Sequence, residues 1–179
     1  MIKIVSNAES DSFGLVQHVE IVERWAKFIL KFYPEANEEI TLLGVWLHDS
    51  GHYSISDVDH AIKGEKIALN FLKKIKLDEI KINKIVHCVR AHRCKDILPE
   101  SIEAKIVACA DSAAHFTDFM YLDIIMDYKN SKKKYSALDK LERDWRDASV
   151  FPEVKNKLEK LYLYWKQLLI EFEKINNEI

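Results

Sequence analysis

Seven histidines stand in this 179-residue chain, and where they stand decides what chemistry they could do. His48 and Asp49 are adjacent at the end of an apolar run and just before Ser50-Gly51. Two ligand-type side chains therefore emerge where the backbone can turn and aim both at one point. His18 lies between Leu15 and Val22 on an apolar face; alone, such a residue is ordinarily a satisfied core histidine. His60 precedes Gly64 by four residues, on a stripe continued by Ile67, Phe71 and Ile75, and should point inward. His92 extends the stripe Ile82, Ile85, Val89 and should point inward too. Asp111 sits among Ala, Cys, Ile and Val, a costly place for a carboxylate that is neither paired nor bound to a metal. His87 is the exception: five positions before His92, it is about 140° away around a helix. It shares a face with Lys84 and Arg90 and is read as solvated.

Four inward imidazoles and two carboxylates form the donor set of a buried divalent metal site. Mixed nitrogen and oxygen ligands favour Mn, Fe, Co, Ni or Zn over Mg or Ca, which prefer oxygen throughout. Nucleophilic alternatives fail on context. There is no GxSxG elbow, and Cys88, Cys94 and Cys109 have no paired catalytic histidine pattern. Cys88 and Cys109 read as core fillers.

The elements that must position these residues are helices. Only 4 Gly and 3 Pro punctuate the chain, too few for a many-stranded sandwich or barrel. Apolar periodicity predicts helices over about Phe13–Phe32, Glu38–His48, His60–Ile75, Asp78–Arg93 and Pro99–Met120, with Asp57 or Asp59 capping the third and Pro99 opening the fifth. Gly44, one turn before His48, could admit a neighbouring helix closely. A shorter apolar stretch follows over Tyr121–Tyr128, then the exposed connection NSKKKY at 130–135. Two more helices are expected over about Ser136–Ala148 and Pro152–Asn176. The last carries Val154, Leu158, Leu161, Trp165, Leu168 and Phe172 at helical spacing, widened by Tyr162, Leu163, Tyr164 and Leu169. Core packing accounts for that face, with a homodimer contact as the sharper alternative.

The reading is thus an all-α chain forming one domain over 1–179, with a metal-binding core at about 13–120 and C-terminal helices at about 121–179. With 27 Lys+Arg against 29 Asp+Glu and a net charge of −2, the charge balance argues against a dedicated nucleic-acid binder. An odd cysteine count without CxxC argues against a disulfide framework or thiolate zinc site. No apolar run is long enough for a leader or a membrane span, and a cytoplasmic protein is expected.

The ordered set His18, His48-Asp49, Asp111 resembles the H...HD...D signature of the HD-domain superfamily of metal-dependent phosphohydrolases. VWLHDSGH, DHAIKGEKIA, IVHCVRAHR and AKIVACADSAAHF resemble that family's stretches, over about Leu15 to Met120. The resemblance implies an HD-like helical bundle with a C-terminal extension. It implies a four-ligand metal site at His18, His48, Asp49 and Asp111, with Asp49 bridging when two metals bind. His60 and His92 match the extra histidines of two-metal members. His52 stands where the HDxxK variant has Lys, and RCKDILP follows His92 in place of a GYP tripeptide, which argues against the cyclic-dinucleotide subfamily.

The activity implied is hydrolysis of a phosphate ester of a small molecule, such as a nucleotide, by hydroxide that one or two divalent ions make available near neutral pH. Asp49 would lie at the reacting centre, and His52 and His115 are the imidazoles available to protonate the leaving group. Lys63, Arg90, Arg93 and Lys95 flank His60 and His92 and could bind the non-reacting oxygens. The alternatives are a non-catalytic metal-binding regulatory domain and a diiron oxygenase-like enzyme of the same wider fold.

Overall fold

In the computed structural model, residues 14–53, 58–126 and 137–178 are described; within them the chain forms eight α-helices and one 3₁₀ turn. Helix α1 runs over Leu15–Leu30 and starts at Gly14, whose φ of 60° is a left-handed conformation that glycine adopts without strain. Phe13, where the sequence places the start, lies outside the described residues. Helix α2, Glu38–Leu47, is capped by Asn37, whose side chain accepts from Ile40 N–H, and it ends on His48. The 3₁₀ turn Ser50–Tyr53 follows. Helix α3, His60–Lys74, is capped by Asp59 as expected, while Asp57 is outside the described residues. Helix α4, Glu79–Ala91, is capped by Asp78 and ends on His92.

Helix α5 spans Ile102–Ala114, shorter than expected at both ends. Ser101 rather than Pro99 opens it, its Oγ accepting from Ala104 N–H at 3.1 Å. At the other end the chain turns at His115. Thr117 Oγ1 donates to Ala114 O at 3.2 Å, and Asp118 Oδ1 accepts from Met120 N–H at 2.8 Å, which starts helix α6, Met120–Met126. Helices α7, Ala137–Ala148, and α8, Pro152–Glu178, complete the described fold. The NSKKKY connection lies outside the described residues.

Helix α5 is the axis of the bundle, with α1, α2, α4 and α7 all packing on it. Its buried residues occupy nearly every side, as befits a helix with neighbours all round. Gly44 makes the expected close approach: a Cβ there would meet Cys88 Cβ at 2.9 Å and Val107 at 3.1 Å. Cys88 and Cys109 are buried core residues.

Two expected faces shift. The buried face of α3 is Ala61, Gly64, Ala68 and Leu72, while Ile75 is exposed. Small residues there let α3 lie against the 3₁₀ turn, where a Cβ on Gly51 would fall 1.9 Å from His60 O and one on Gly64 would fall 3.2 Å from His48 O. On α8 the buried residues are Val154, Leu158, Tyr162 and Leu169, and Leu168 is exposed. Tyr162 instead stacks on Trp145 of α7, ring centroids 4.3 Å apart, which sets the side that α8 presents. Among the described residues no helix is long and apolar enough to cross a membrane.

Candidate metal centre

Helix ends build the site. His48, His92 and His115 are the C-terminal caps of α2, α4 and α5, and His60 is the first residue of α3. His18 lies one turn into α1, and Asp111 one turn before His115 on α5. The packing of α1, α2 and α4 on α5 therefore brings their polar residues to one end of the bundle.

Asp49 is the centre of this arrangement. Its Oδ2 faces His48 Nε2 at 3.4 Å and His18 Nε2 at 3.8 Å. Its Oδ1 faces His60 Nε2 at 3.5 Å, His92 Nε2 at 3.6 Å and His52 Nε2 at 3.7 Å. Asp111 Oδ1 lies 3.1 Å from His18 Nε2 and 3.6 Å from the Nε2 atoms of both His48 and His115. Among the described residues, three overlapping groups have ligand atoms within 4.8 Å of one another: His18, Asp111 and His115; His18, His48 and Asp49; and Asp49, His52 and His60. The second and third share Asp49, one on each side of its carboxylate.

The imidazoles are oriented from behind. His48 Nδ1 donates to Val45 O at 2.7 Å and His92 Nδ1 to Val89 O at 2.6 Å, so each ring turns Nε2 to the centre as the nitrogen left to take a proton or a metal. His48 Nε2 is buried and makes no hydrogen bond. His92 Nε2 faces His60 Nε2 at 3.2 Å, two nitrogens that need a proton or a cation between or beside them. Converging nitrogen lone pairs and carboxylate oxygens, one nitrogen orphaned, fit a divalent transition ion.

The ionisation of these groups follows the same division. Burial acts to lower the pKa of His18, but hydrogen bonds to Asp111 and Asp118 outweigh it and raise the value to about 10. His48 is likewise raised against its burial, chiefly by Asp49 and Asp111. Burial acts to raise both carboxylates, yet Asp49 is held low by His48 and His92, and Asp111 by His115, His18 and His48. On the other side of Asp49, burial dominates: His60 is pushed down to about 4, and His52 and His92 are also lowered. Without a metal, the His18 proton sits between carboxylates where a cation would serve.

The structure thus brings His18, His48, Asp49, His60, His92 and Asp111 together, with His52 and His115 beside them. It ties the basic candidates differently. Arg90 is paired with Asp96 and Glu65, and Arg93 with Asp59, so both guanidiniums already have carboxylate partners. Lys63 lies one turn along α3 from His60 and near enough to His52 to lower its pKa further; Lys95 is exposed. His87 stays out of the cluster but is not simply solvated: it is half-buried and its Nε2 accepts from Glu100 N–H at 3.1 Å.

Four polar residues were not anticipated. Asp118 Oδ2 accepts from His18 Nδ1 at 2.9 Å. Behind His115, Lys140 Nζ donates to Nδ1 at 2.9 Å and to Asp144 at 2.5 and 2.7 Å, and Tyr121 donates to Asp144 Oδ2 at 2.9 Å. A signal for Asp144 existed. It is three residues after Leu141 and four before Ala148, on the buried face of α7.

The HD-domain family's sequence profile matches residues 15–114, more than half of the chain. The chain belongs to the HD-domain family. Over 155 residues it is 28% identical to a tRNA (cytidine(56)-2′-O)-methyltransferase of Picrophilus torridus, an alignment covering 78% of this chain and 43% of that protein. The HD-domain chain thus spans less than half the length of this relative. Its fold is similar to a crystal structure described as a predicted HD superfamily hydrolase from an uncultured Thermotogales bacterium. The TM-score is 0.57 at 19% identity, over 92% of this chain and 90% of that one. The match supports the all-α HD-like architecture.

Proposed function

We propose that this HD domain is a metal-dependent phosphohydrolase that cleaves a phosphate ester of a small molecule. The observation that carries the reading is Asp49, whose two oxygens face separate sets of imidazoles, His18 and His48 on one side and His52, His60 and His92 on the other. That is the arrangement by which one carboxylate serves two ions. His18, His48, Asp49 and Asp111 would hold the first, and Asp49, His60 and His92 the second. When bound, such ions supply Lewis acidity toward phosphoryl oxygens and hydroxide near neutral pH.

The chain's own residues supply the rest. Val45 and Val89 carbonyls fix the rings of His48 and His92. His52, whose side chain is 32% exposed, and His115 border the cluster and are placed to give a proton to the leaving oxygen. Lys63 is a basic side chain near His52 that could attract a phosphate. The tRNA ribose methyltransferase relative supports a ribonucleotide as the substrate class. The test is metal analysis of the purified protein joined to hydrolysis assays on generic phosphoesters and nucleotides. Hydrolysis and bound metal should both be lost in His48→Ala and Asp49→Ala. A metal-loaded protein that hydrolyses none of them, with both variants unchanged in metal content, sinks the reading.

A further inference from the structure

On the Asp111 side of the site, two near-parallel imidazoles are held by opposite chemistries. His18 and His115 stack with ring centroids 5.2 Å apart and an interplanar angle of 15°. Both direct Nε2 at Asp111 Oδ1, at 3.1 and 3.6 Å. At Nδ1 they differ. His18 meets the Asp118 carboxylate, which can only accept, so this nitrogen carries the proton. His115 meets the Lys140 ammonium at 2.9 Å, which can only donate, so this nitrogen carries the lone pair and the ring's proton is on Nε2. Asp144 Oδ2 is also near His115 Nδ1, at 3.2 Å, but it already accepts from Tyr121 and Lys140. Asp118 and Lys140 both lie beyond the 15–114 segment that matches the family.

We propose that Asp118 and Lys140 are positioning residues that impose opposite tautomers on the stacked pair: Asp118 makes His18 a metal ligand through Nε2, and Lys140 makes His115 the proton donor through Nε2. The assignment of the donor role rests on the phosphohydrolase reading. As water attacks phosphorus and the bond to the leaving oxygen breaks, His115 passes its Nε2 proton to that oxygen and takes one at Nδ1 from Lys140. The ring ends neutral. The proton shed by the attacking water passes to solvent, from which the partly exposed Lys140 recovers its own. Asp118 has a second attachment, because its Oδ1 caps α6 through Met120 N–H. The C-terminal helices are thereby part of the site rather than a support for it.

Nitrogen-15 spectra of the imidazole side chains test the assignment on the wild-type protein. His115 should appear as the Nε2–H tautomer, and His18 in Zn(II)-loaded protein as Nδ1–H with Nε2 on the metal. In Lys140→Met the His115 proton should move to Nδ1, facing Asp144. Hydrolysis of an alkyl phosphate, a poor leaving group, should then fall by about 10²-fold, while an activated aryl phosphate and Zn(II) affinity change little. Asp118→Asn should weaken Zn(II) binding by about 10- to 100-fold with the helical circular dichroism kept. An Nδ1–H His115 in the wild type, or unchanged Zn(II) affinity in Asp118→Asn, overturns the proposal. If no phosphoester is cleaved at all, the hydrolase reading and the donor role fall together, and the spectra still decide the tautomers.

Discussion

The two sides of Asp49 are built from the same residue types to different ends. On the inner side His18, His48 and Asp111 come from three helices packed on one another, and the His48 side chain has no exposure. On the outer side His52 and His60 are 32% and 22% exposed, and they come from the 3₁₀ turn and the first residue of α3. Inner imidazoles have raised pKa values because carboxylates outweigh their burial; outer ones are lowered because burial wins. Without metal, His18 and His48 are therefore biased toward holding protons, and His52, His60 and His92 toward the neutral ring. On the phosphohydrolase reading, the inner position would belong to the packed core, while the outer one, closed at His92 but open at His52 and His60, would be the edge where ions exchange and substrate enters.

The comparison breaks most sharply at the inner side. Asp111→Ala should remove all tightly held metal and lower hydrolysis by several kcal/mol of transition-state stabilisation, about 10³-fold or more, read by elemental analysis and turnover. His60→Ala should instead leave one equivalent of metal and cost about 10- to 100-fold in rate; loss of both ions would erase the distinction between the sides.

Acidity sharpens it further in the metal-free protein. His52, His60 and His92 have folded pKa values below 6.5, so as pH falls below about 6.5 the unfolded chain binds protons that the folded one refuses, and stability drops toward about pH 4. His18 has the opposite sign: its contribution is complete below about 6.5 and is lost as pH rises toward about 10. Thermal melting of metal-free protein should thus be highest near about pH 6.5 and decline on both sides. Divalent metal should raise the alkaline limb, because a cation replaces the His18 proton; an apo melting profile flat across this range contradicts the division. The smallest effect belongs to two arginines. Arg90→Ala and Arg93→Ala should change KM by less than about threefold, since each guanidinium is already paired with a carboxylate, Asp96 for Arg90 and Asp59 for Arg93.

Much of this was legible in the sequence where a residue's type clashed with its surroundings. Asp111 among alanines and His18 on an apolar stripe announced themselves; the helix carrying His18 formed within a few residues of its expected bounds, while the one carrying Asp111 ended at Ala114 rather than about Met120. The face of α3 misled because hydrophobic size was read as burial, whereas that helix packs through Gly64 and alanines against the 3₁₀ turn. The end of α5 was hidden because its stop is made by side-chain bonds of Thr117 and Asp118, not by Gly or Pro. Lys140 and Asp144 were hidden differently. In the charged text of α7 they resemble a solvated surface pair, and only the approach of α5 and α6 shows that their charges are spent on His115 and Tyr121.

The placing of His48, His92 and His115 as C-terminal caps has a consequence for the order of events. Three helices end at one place, each carrying about half a negative charge in the aligned dipoles of its last carbonyls. Added to Asp49 and Asp111, they favour a cation there, while α1 and α3 begin at the same end and bring His18 and His60 with the positive ends of their dipoles. On the phosphohydrolase reading, bound metal would add to those positive ends, so a phosphate ester would be drawn in more strongly after the metal than before it.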